Sequence, residues 1–485
     1  MFFLAVFPLL IFVVLLLLGK LKVVFASLIS LSITALLAIF YWRMDLSIFF
    51  SSLLKGSLIS FDIFLIVFGA ILFITLLKKL NIIENLCYYL GTFSKDLRIQ
   101  VILLAWFLEN FLEGTAGFGT PSVVVAPILI GLGITPIWAV AIAMLGNSAS
   151  VAFGAAGTPI RVGFSGLDIS QVPYYSGLFN LVGILVPVFM LFAITLKKDG
   201  AKRRFFEALP FAVFAGVAYS LPAFFLTFFG QEFPAILGSV IGLALVLFAI
   251  KFKFLVPKKT MAFSGGMSRK ENIPLKKVLF PYILLVSLLI LGKFILDKIG
   301  ISFFFGLSHR FSFFNPGIIF IITSFAVFLV WRKRVTNLGL MFKNSFLKSI
   351  EPFLVVFSMS ALAQIMINSG QNNVLVEQLK TAALPFISPV MGAFGSFMTG
   401  SATVSNIMFG GMLAKAAEAV GILPAIILSL ELVGAAAGNM IALADIMPAL
   451  AVVNLKGKER EVLKRVIIPC LIYIFLLGII GLLVV

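Results

Sequence analysis

Long apolar runs recur from one end of the chain to the other, and short polar or basic stretches separate them. A helix needs about 20 predominantly apolar residues to cross the ~30 Å hydrocarbon core of a bilayer. The runs therefore predict an all-α, polytopic membrane protein with about 14 transmembrane helices. The predicted helices lie near 2–19, 23–41, 58–77, 98–113, 134–153, 173–196, 205–228, 234–250, 278–297, 316–331, 351–369, 384–399, 421–437 and 463–485.

Two stretches break this apolar pattern inside the predicted membrane region. Glycines, prolines, amides and hydroxyls interrupt it at 113–121, Glu-Gly-Thr-Ala-Gly-Phe-Gly-Thr-Pro, and at 399–406, Thr-Gly-Ser-Ala-Thr-Val-Ser-Asn. Lipid offers no hydrogen-bond partner to a freed backbone group, so non-helical chain survives in a membrane only inside protein or beside water. We therefore predict two broken or re-entrant segments. Close helix packing is the alternative, because glycine and serine also allow helices to approach each other.

The two broken segments belong to a repeated pattern. Phe-Leu-Glu-Gly-Thr-Ala at 111–116 is echoed by Phe-Met-Thr-Gly-Ser-Ala at 397–402, and Gly-Ile-Thr-Pro at 133–136 by Gly-Ile-Leu-Pro at 421–424. Both copies then reach a run of small residues. Matching motifs in the same order predict two inverted structural repeats. Chance similarity between helices rich in glycine and alanine stays an alternative.

Charge divides the chain into two halves. The longest polar interruption, 251–277, carries eight Lys and Arg residues against one acid, Glu271. It predicts a flexible, basic cytoplasmic linker between a first half at 1–250 and a second half at 278–485. The other basic residues collect in short loops, which the positive-inside rule places in the cytoplasm. Topology and anionic lipid thus explain the net charge of +18, and no basic stripe with interleaved aromatic residues predicts nucleic-acid binding.

Composition narrows the class of protein further. Hydrophobic residues make up 61% and charged residues 12% of the 485 positions, and the mean hydropathy is +1.18. Two cysteines and one histidine supply neither a disulfide framework nor a metal-ligand cluster, and the sequence has no nucleotide-binding loop. We predict a multi-pass protein of the cell membrane that is not an enzyme and holds no metal or cofactor. The oligomeric state is left open, a homo-oligomer included.

Broken segments at matching places in two halves are the best sequence pointer to the site of a secondary transporter. Helix N-termini at such breaks direct unpaired N–H groups and positive dipole ends towards an anion. Arg161, which follows a Thr-Pro step, is either a loop charge or a counter-ion for a carboxylate substrate. The candidate substrate-binding residues are Gly114, Thr115, Gly117, Gly119, Thr120, Asn147, Ser148, Arg161, Gly400, Ser401, Thr403, Ser405, Asn406 and Asn439.

Carboxylates within or beside apolar runs are the second clue. A charged side chain at the centre of a membrane helix costs at least ~2.5 kcal/mol, so such residues are functional candidates by default. Loss of surrounding water favours the protonated form of a carboxyl group, which suits a proton carrier. The candidate proton-coupling residues are Glu113, which directly precedes the first broken segment, Glu109 one helical turn earlier, Glu431 and Asp445. Asp62 is instead predicted to cap or snorkel near a helix start.

Motifs spread over most of the chain match a known pattern. They include the Leu-Glu-Gly-Thr-Ala-Gly-Phe-Gly-Thr-Pro run at 112–121, Gly-Leu-Gly at 131–133 and Val-Ala-Phe-Gly-Ala at 151–155. In the second half they include Asn-Ser-Gly at 368–370 and Thr-Gly-Ser at 399–401. In these motifs the chain resembles the lactate permease family of bacterial secondary transporters. The resemblance implies uptake of L-lactate and related 2-hydroxycarboxylates together with protons.

The chain departs from the family pattern mainly in its second half. Ala402 stands where the family usually has Asp, and Asn439 stands where it usually has Lys. A buried acid and a buried base are thus both missing, which is less costly than the loss of one alone. Glu431 replaces a usual Asn, and Asp445 and Arg161 are additions. The substrate and the coupling ion of this chain are therefore questions separate from its fold.

The function that these features predict is secondary active transport across the cell membrane. The predicted substrate is L-lactate or a related small 2-hydroxy monocarboxylate, moved by proton symport with alternating access. A transporter of the same fold for a different organic anion, or one coupled to sodium, is the alternative. A channel or an intramembrane enzyme is less well supported, because the sequence shows no metal or nucleophile–base constellation. The predicted partners are a small carboxylate, a proton or sodium ion, and the lipid bilayer.

Overall fold

The computed structural model describes residues 1–17, 21–117, 119–196, 200–263, 271–296, 299–304, 308–331 and 337–485. The first half of the chain is helical within these ranges. Its helices are α1 (Phe2–Leu17), α2 (Val23–Leu36), α3 (Leu46–Lys79), α4 (Ile82–Gly91), α5 (Leu97–Val101), α6 (Glu109–Thr115), α7 (Thr120–Gly131), α8 (Pro136–Val151), α9 (Gly154–Arg161), α10 (Val172–Phe179), α11 (Val186–Thr195), α12 (Ala201–Leu226) and α13 (Pro234–Lys251). Short π- or 3-10-helical segments continue four of them at Leu37–Tyr41, Ile102–Leu108, Asn180–Leu185 and Thr227–Phe229.

The second half is helical as well, with one small antiparallel sheet. The strands β1 (Gly300–Phe304) and β2 (Ser308–Ser312) pair with Gly300 opposite Ser312. The helices are α14 (Leu275–Leu296), α15 (Pro316–Val330), α16 (Leu338–Asn368), α17 (Gln371–Leu379), α18 (Leu384–Thr399), α19 (Ala402–Ala419), α20 (Pro424–Asn439), α21 (Leu443–Val452) and α22 (Glu459–Val484).

The helices confirm an all-α, polytopic membrane protein. Nine helical stretches of the described chain are long and apolar enough to cross a membrane, and a tenth counts if α8 and α9, which bend by 55°, form one span. Four shorter apolar helices accompany them, among them α7 and α18. The number of crossings depends on how these short helices are assigned, so the count of about 14 stays a prediction.

The order of elements in the first half recurs in the second. A long helix (α3 or α16) precedes a short helix (α4 or α17), a helical hairpin, and a helix broken near its middle (α8–α9 or α20–α21). The two long helices pack antiparallel, because Gly56 lies against Ala361 and Phe68 lies 4.8 Å from Phe342. Opposite directions are what inverted repeats require, and the repeat itself stays a prediction.

Two hairpins carry the predicted broken segments, and their tips are short. Hairpin 1 comprises α5–α6 and α7, and its chain reverses through Gly117 and Gly119, which have φ of +61° and +67°. Glycine adopts this left-handed conformation at little cost. Phe118, between them, lies outside the described residues. Hairpin 2 comprises α18 and α19.

The tip of hairpin 2 is shorter than the stretch at 399–406 that the sequence predicts to be broken. Only Gly400 and Ser401 are non-helical, and Ser401 caps α19 by accepting a hydrogen bond from the Val404 amide at 3.3 Å. Residues 402–406 form the first turn and a half of α19. The side-chain cap satisfies an amide that would otherwise be free at the helix start, so the helix can begin directly after the turn.

The described flanks of the 251–277 linker are bound to the first half rather than free. The Asp96 carboxylate accepts a hydrogen bond from the Met261 amide at 3.0 Å, and Arg98 donates to the Lys259 carbonyl at 2.6 Å. Further along, Tyr89 donates to the Ile273 carbonyl at 2.8 Å. The predicted flexibility therefore does not extend to these flanks, and residues 264–270 lie outside the described residues.

Candidate functional site

A small polar cavity lies where the two hairpin tips meet the two broken helices. The space open to the centres of water molecules in it is about 30 Å³, which is room for about two water molecules. A lactate ion has six heavy atoms, so its binding here requires the site to widen. The lining residues are Glu113, Gly117, Gly119, Val151, Gly154, Ala155, Thr158, Pro159, Gly400, Ser401, Ala402, Thr403 and Asn439.

Glu113 brings a carboxylate to the cavity from the last turns of α6. Two glycines make room for it: a Cβ at Gly154 would lie 2.5 Å from Glu113 Oε1, and one at Gly117 would lie 3.4 Å from it. The side chain is almost fully buried, and Oε2 has no hydrogen-bond partner among the described residues. A carboxyl oxygen without a donor in a buried site is costly unless it holds a proton or meets a ligand.

The break between α8 and α9 shapes the opposite wall. Ala155, Ala156 and Gly157 are left-handed in succession, with φ of 42°, 52° and 77°. For alanine this conformation costs roughly 1–2 kcal/mol per residue. Strain of this kind persists where surrounding structure holds it and is concentrated at functional sites. The break interrupts the helix between α8 and α9 directly before Thr158, which lines the cavity.

Asp445, at the start of α21, lies between the two hairpin tips. Its Oδ1 occupies the space where a Cβ on Gly119 would stand, and lies 3.6 Å from the Cβ position of Gly400. Its Oδ2 accepts a hydrogen bond of 2.7 Å from the Asn439 amide group. Hairpin 1, hairpin 2 and the second broken helix thus meet at one carboxylate.

A chain of polar contacts joins Asp445 to Glu113. Asn147 in α8 donates to Asn439 Oδ1 at 3.4 Å, and Asn439 also donates to the Gly400 carbonyl at 3.4 Å. Asn147 lies beside Glu113, and the carboxylates of Glu113 and Asp445 are close enough to interact electrostatically. The two breaks in the two halves of the chain are therefore connected by side chains from both.

The electrostatics of the cavity come from helix ends and acids. The N-terminus of α7 follows Gly119, and that of α19 follows Ser401, so both positive helix ends begin at the cavity wall. None of the described lining residues is a lysine or an arginine. The site can therefore offer backbone N–H groups and hydroxyls to an anion, with two carboxylates nearby and without a fixed cation.

Seven of the predicted residues line the cavity, and two more adjoin it. The lining set is Glu113, Gly117, Gly119, Gly400, Ser401, Thr403 and Asn439, and the adjoining pair is Asn147 and Asp445. The predicted set omits Thr158 and Pro159, which also line it. The Gly-Ala-Ala-Gly-Thr-Pro run that contains them was the available signal, because it breaks a membrane helix in the same manner as the two tips.

Four predicted residues have local structural roles. Thr115 donates to the carbonyls of its own helix, Thr120 to the Gly117 carbonyl at 2.9 Å, and Ser148 to the Leu145 carbonyl at 2.7 Å. Gly114 packs against α13, where a Cβ would stand 2.9 Å from that of Ala235. These hydroxyls satisfy the backbone around the site, and none of the four is part of the cavity wall.

Ser405, Asn406 and Glu431 lie in the second half of the molecule beside the cavity but not on its wall. Ser405 of α19 donates to Glu431 Oε1 of α20 at 2.8 Å, and this hydrogen bond joins hairpin 2 to α20. Asn406 donates to the Pro159 carbonyl at 2.8 Å and so ties α19 to α9. Glu431 is fully buried, and its Oε2 has no hydrogen-bond partner among the described residues.

Glu109 is a second buried acid within hairpin 1. It lies one helical turn before Glu113, directly after the π-helical segment Ile102–Leu108, and it faces Ser122 of α7. The side chain is fully buried. It does not reach the cavity wall, and it stays a candidate for proton transfer along the arm of the hairpin.

Arg161 lies outside the cavity, in a charged cluster at the end of α9. Its guanidinium lies 5.6 Å from the ring centre of Phe314, and Lys293 lies 5.5 Å from the same ring. Lys293 also bonds the buried carboxylate of Glu232 at 3.1 Å. Burial raises the pKa of Glu232, and the positive charge of Lys293 opposes that rise.

Asp62 lies within α3, which begins twelve residues earlier than the sequence pattern predicts, at Leu46 rather than at 58. The expectation that Asp62 caps or snorkels near a helix start is therefore wrong. The helix begins at Leu46 because Asp45 caps it by accepting from the Ser47 amide at 2.7 Å. The serines that follow do not end it, since their hydroxyls bond carbonyls of the preceding turn, as Ser51 does to Ser47 at 2.8 Å.

The fold, with a polar cavity between its two hairpin tips, is that of a multi-pass membrane transporter. A model of the L-lactate permease family matches residues 1–300 and 307–485, and the chain belongs to that family. It is 28% identical to an L-lactate permease of Streptococcus iniae, over 87% of this chain and 92% of that protein. It is 26% identical to a glycolate permease of Escherichia coli (strain K12), over 99% and 94%. The crystal structure of the Alcanivorax borkumensis YdaH transporter aligns over 86% of this chain and 84% of its own, with 11% identity and a TM-score of 0.46.

Proposed function

We propose that this protein carries a small 2-hydroxy monocarboxylate across the membrane, with L-lactate and glycolate as the first candidates, by proton symport and alternating access. Family membership supports transport, and relatives described as L-lactate and glycolate permeases support the substrate class. The cavity at the hairpin tips is the proposed binding site.

The observation that supports proton coupling is the charge of the cavity. Glu113 lines it and Asp445 adjoins it, and no basic residue is present in its described lining. Two like unit charges about 5 Å apart repel by roughly 3 kcal/mol at an effective dielectric constant of about 20. An anion next to two ionised carboxylates would thus bind more than about a hundredfold more weakly per acid. Binding of a proton to one acid removes that acid's share of the repulsion, so proton and substrate bind together.

The remaining contacts would come from the helix ends. A substrate carboxylate would accept hydrogen bonds from the amides of Ala402 and Thr403 that begin α19, with Ser401 and Thr403 as side-chain donors. The first turn of α7 would contribute mainly its positive dipole end, because the Thr120 amide bonds the Gly117 carbonyl and Pro121 has no N–H. Asn439 Oδ1 would accept a hydrogen bond from a 2-hydroxyl group or from the protonated acid, because the amide hydrogens of Asn439 already go to Asp445 and the Gly400 carbonyl. The cavity must open to admit the substrate, and opening alternately to each side is the movement that alternating access requires.

Sodium coupling is the second candidate. The Gly400 carbonyl and the Asp445 carboxylate lie close together beside Asn439, and oxygen atoms of this kind are the ligands that hard cations prefer. A sodium ion there would neutralise Asp445 in place of a proton. Proton coupling and sodium coupling would therefore both act through Asp445, but different ion gradients would drive them.

Uptake into proteoliposomes distinguishes these proposals. Purified protein is reconstituted, and uptake of labelled L-lactate is measured with the lumen alkaline, with an inward sodium gradient at equal pH, or with neither. We expect accumulation with the pH gradient only, and its collapse on addition of a protonophore. Accumulation with sodium alone would overturn proton coupling, and no uptake above protein-free vesicles for lactate or glycolate would overturn the substrate class.

A further inference from the structure

A large pocket distinct from the central cavity lies at one end of α8. It has a volume of about 500 Å³ and is bounded by the starts of α5 and α8, the end of α11, Leu455 and the second turn of α22. Most of its wall is apolar, with Leu97, Ile137, Ile194 and Leu455 among the lining residues. A volume of this size falls within the range of ligand pockets in proteins.

One basic side chain lies in the wall of this pocket. Arg465 stacks its guanidinium 4.8 Å above the ring centre of Trp138, which also lines the pocket. One of its terminal nitrogens donates to the Glu461 carbonyl. Its Nε–H is buried and has no hydrogen-bond acceptor in the described part of the chain. A buried cationic donor without an acceptor is costly, and an anion in the pocket would satisfy it.

The acid one helical turn before Arg465 forms an ion pair with a different residue. Glu461 precedes Arg465 by one helical turn and would be its natural partner at that spacing. Its carboxylate instead bonds the Lys458 ammonium at 2.7 Å. Arg465 therefore keeps its charge available towards the pocket.

The start of α8 adds a second group of donors. Thr135 precedes the helix, and its side chain caps none of the first amides. Because the first amides of a helix have no partner within it, those of Ile137 and Trp138 are available beside the pocket. They add the positive end of a helix dipole to the charge of Arg465.

The location of the pocket indicates which kind of anion it binds. Its lining residues adjoin the basic loops at 197–204 and 456–465, which the positive-inside rule assigns to the cytoplasmic face. Lys456, Arg460 and Lys464 of the second loop are exposed and are not part of the pocket wall. Basic pockets between membrane helices on this face suit the headgroups of anionic lipids. A free phosphate would leave the apolar wall in contact with water, whereas an acyl chain would cover it.

We propose that this pocket binds an anionic phospholipid, whose phosphodiester lies on Arg465 and the start of α8 and whose acyl chain lies along Ile137, Ile194 and Leu455. This site is separate from the substrate cavity, and its occupancy does not depend on the proposed substrate. A lipid here would brace the root of hairpin 1, at Leu97, against the start of α22.

The test is lipid binding to the purified protein in discs of phosphatidylcholine. Labelled phosphatidylglycerol is titrated against the wild type, Arg465→Gln, and the matched control Arg460→Gln, which removes an exposed charge of the same loop. Because the hydrogen bond between the guanidinium and the phosphodiester is lost together with its charge, Arg465→Gln should weaken phosphatidylglycerol binding by about tenfold or more. Arg460→Gln should change it by less than about twofold, as expected for an exposed charge.

A second variant tests the apolar part of the site and guards against misfolding of the first. Ala193→Phe narrows the pocket while it leaves Arg465 in place, and it should also weaken lipid binding. Inorganic phosphate should not compete with the lipid at millimolar concentration. Equal losses in Arg465→Gln and Arg460→Gln would show unspecific surface attraction and overturn the proposal. Unchanged binding in both Arg465→Gln and Ala193→Phe would also overturn it, as would full competition by phosphate.

Discussion

Replacement of Asp445 by asparagine separates proton coupling from substrate binding. The Asn439 amide that donates to Asp445 Oδ2 at 2.7 Å can donate equally to the amide oxygen of an asparagine. The exchange therefore removes the charge and keeps the shape between the hairpin tips. A substrate carboxylate in a cavity of about 30 Å³, once widened, would lie within about 5 Å of Asp445. At that distance the repulsion removed is roughly 3 kcal/mol.

The consequence differs between two transport assays. Exchange of labelled for unlabelled L-lactate needs no net proton movement, so Asp445→Asn should retain exchange, and the exchange should decline less steeply as the pH rises. Net accumulation driven by a pH gradient should fall at least about tenfold, since one of the two proton-binding groups is lost. The exposed Asp168→Asn provides a matched control that should leave both assays unchanged.

Two results would refute this reasoning. If Asp445→Asn accumulated lactate as well as the wild type does, Asp445 would not take part in proton coupling. If exchange disappeared while the variant kept its normal thermal stability, Asp445 would be needed for substrate binding itself, and repulsion between it and the substrate would not be the dominant interaction.

Three further predictions follow from the packing. Gly119→Ala should reduce uptake more than about tenfold, because its Cβ would overlap the Asp445 carboxylate and because Gly119 has a positive φ. Gly131→Ala, which has open space for a Cβ, should be neutral. Glu431→Gln should keep most of the uptake, since it does not line the cavity and an amide can still accept its serine bond; loss of proton-driven uptake would instead make it a carrier. Lys293→Met should destabilise the protein by about 3 kcal/mol or more at pH 8, because the buried carboxylate of Glu232 loses its ion pair with Lys293.

The pH dependence of that last variant has a defined sign. Burial raises the pKa of Glu232, so the loss of stability is present above the unfolded-state value of about 4.3 and is relieved as the pH falls through the higher folded-state value. The melting temperature of Lys293→Met should thus approach that of the wild type at pH 5. A difference that stays constant between pH 5 and pH 8 would contradict an unpaired carboxylate as the cause.

The parts of the structure that could be predicted from sequence are those governed by local chemistry. Apolar runs predict membrane helices because lipid leaves no hydrogen-bond partner for a non-helical backbone. The glycines at 117, 119 and 400 predict turns because glycine tolerates a positive φ, and all three have one in the structure. Ser401 could be recognised as a helix cap from its place before an apolar helix. These features were enough to find both hairpin tips and most of the cavity wall.

The role of Asp445 depends on tertiary contacts and could not be predicted in the same way. Nothing near it in the sequence shows that it lies between Gly119 and Gly400. Some hydroxyl side chains predicted to bind the substrate instead make local hydrogen bonds. Thr115 and Ser148 satisfy carbonyls of their own helices, a common use of hydroxyls in helices that leaves no mark in the sequence.

The coupled movement of protons and lactate is the central claim, and it can be measured directly. Proteoliposomes are loaded with a pH-sensitive dye, and L-lactate is added outside at equal pH with no sodium present. We expect the lumen to acidify when lactate enters through the wild type, and the double variant Glu113→Gln/Asp445→Asn to abolish the acidification. Entry of labelled lactate without acidification, or acidification that persists in the double variant, would contradict it.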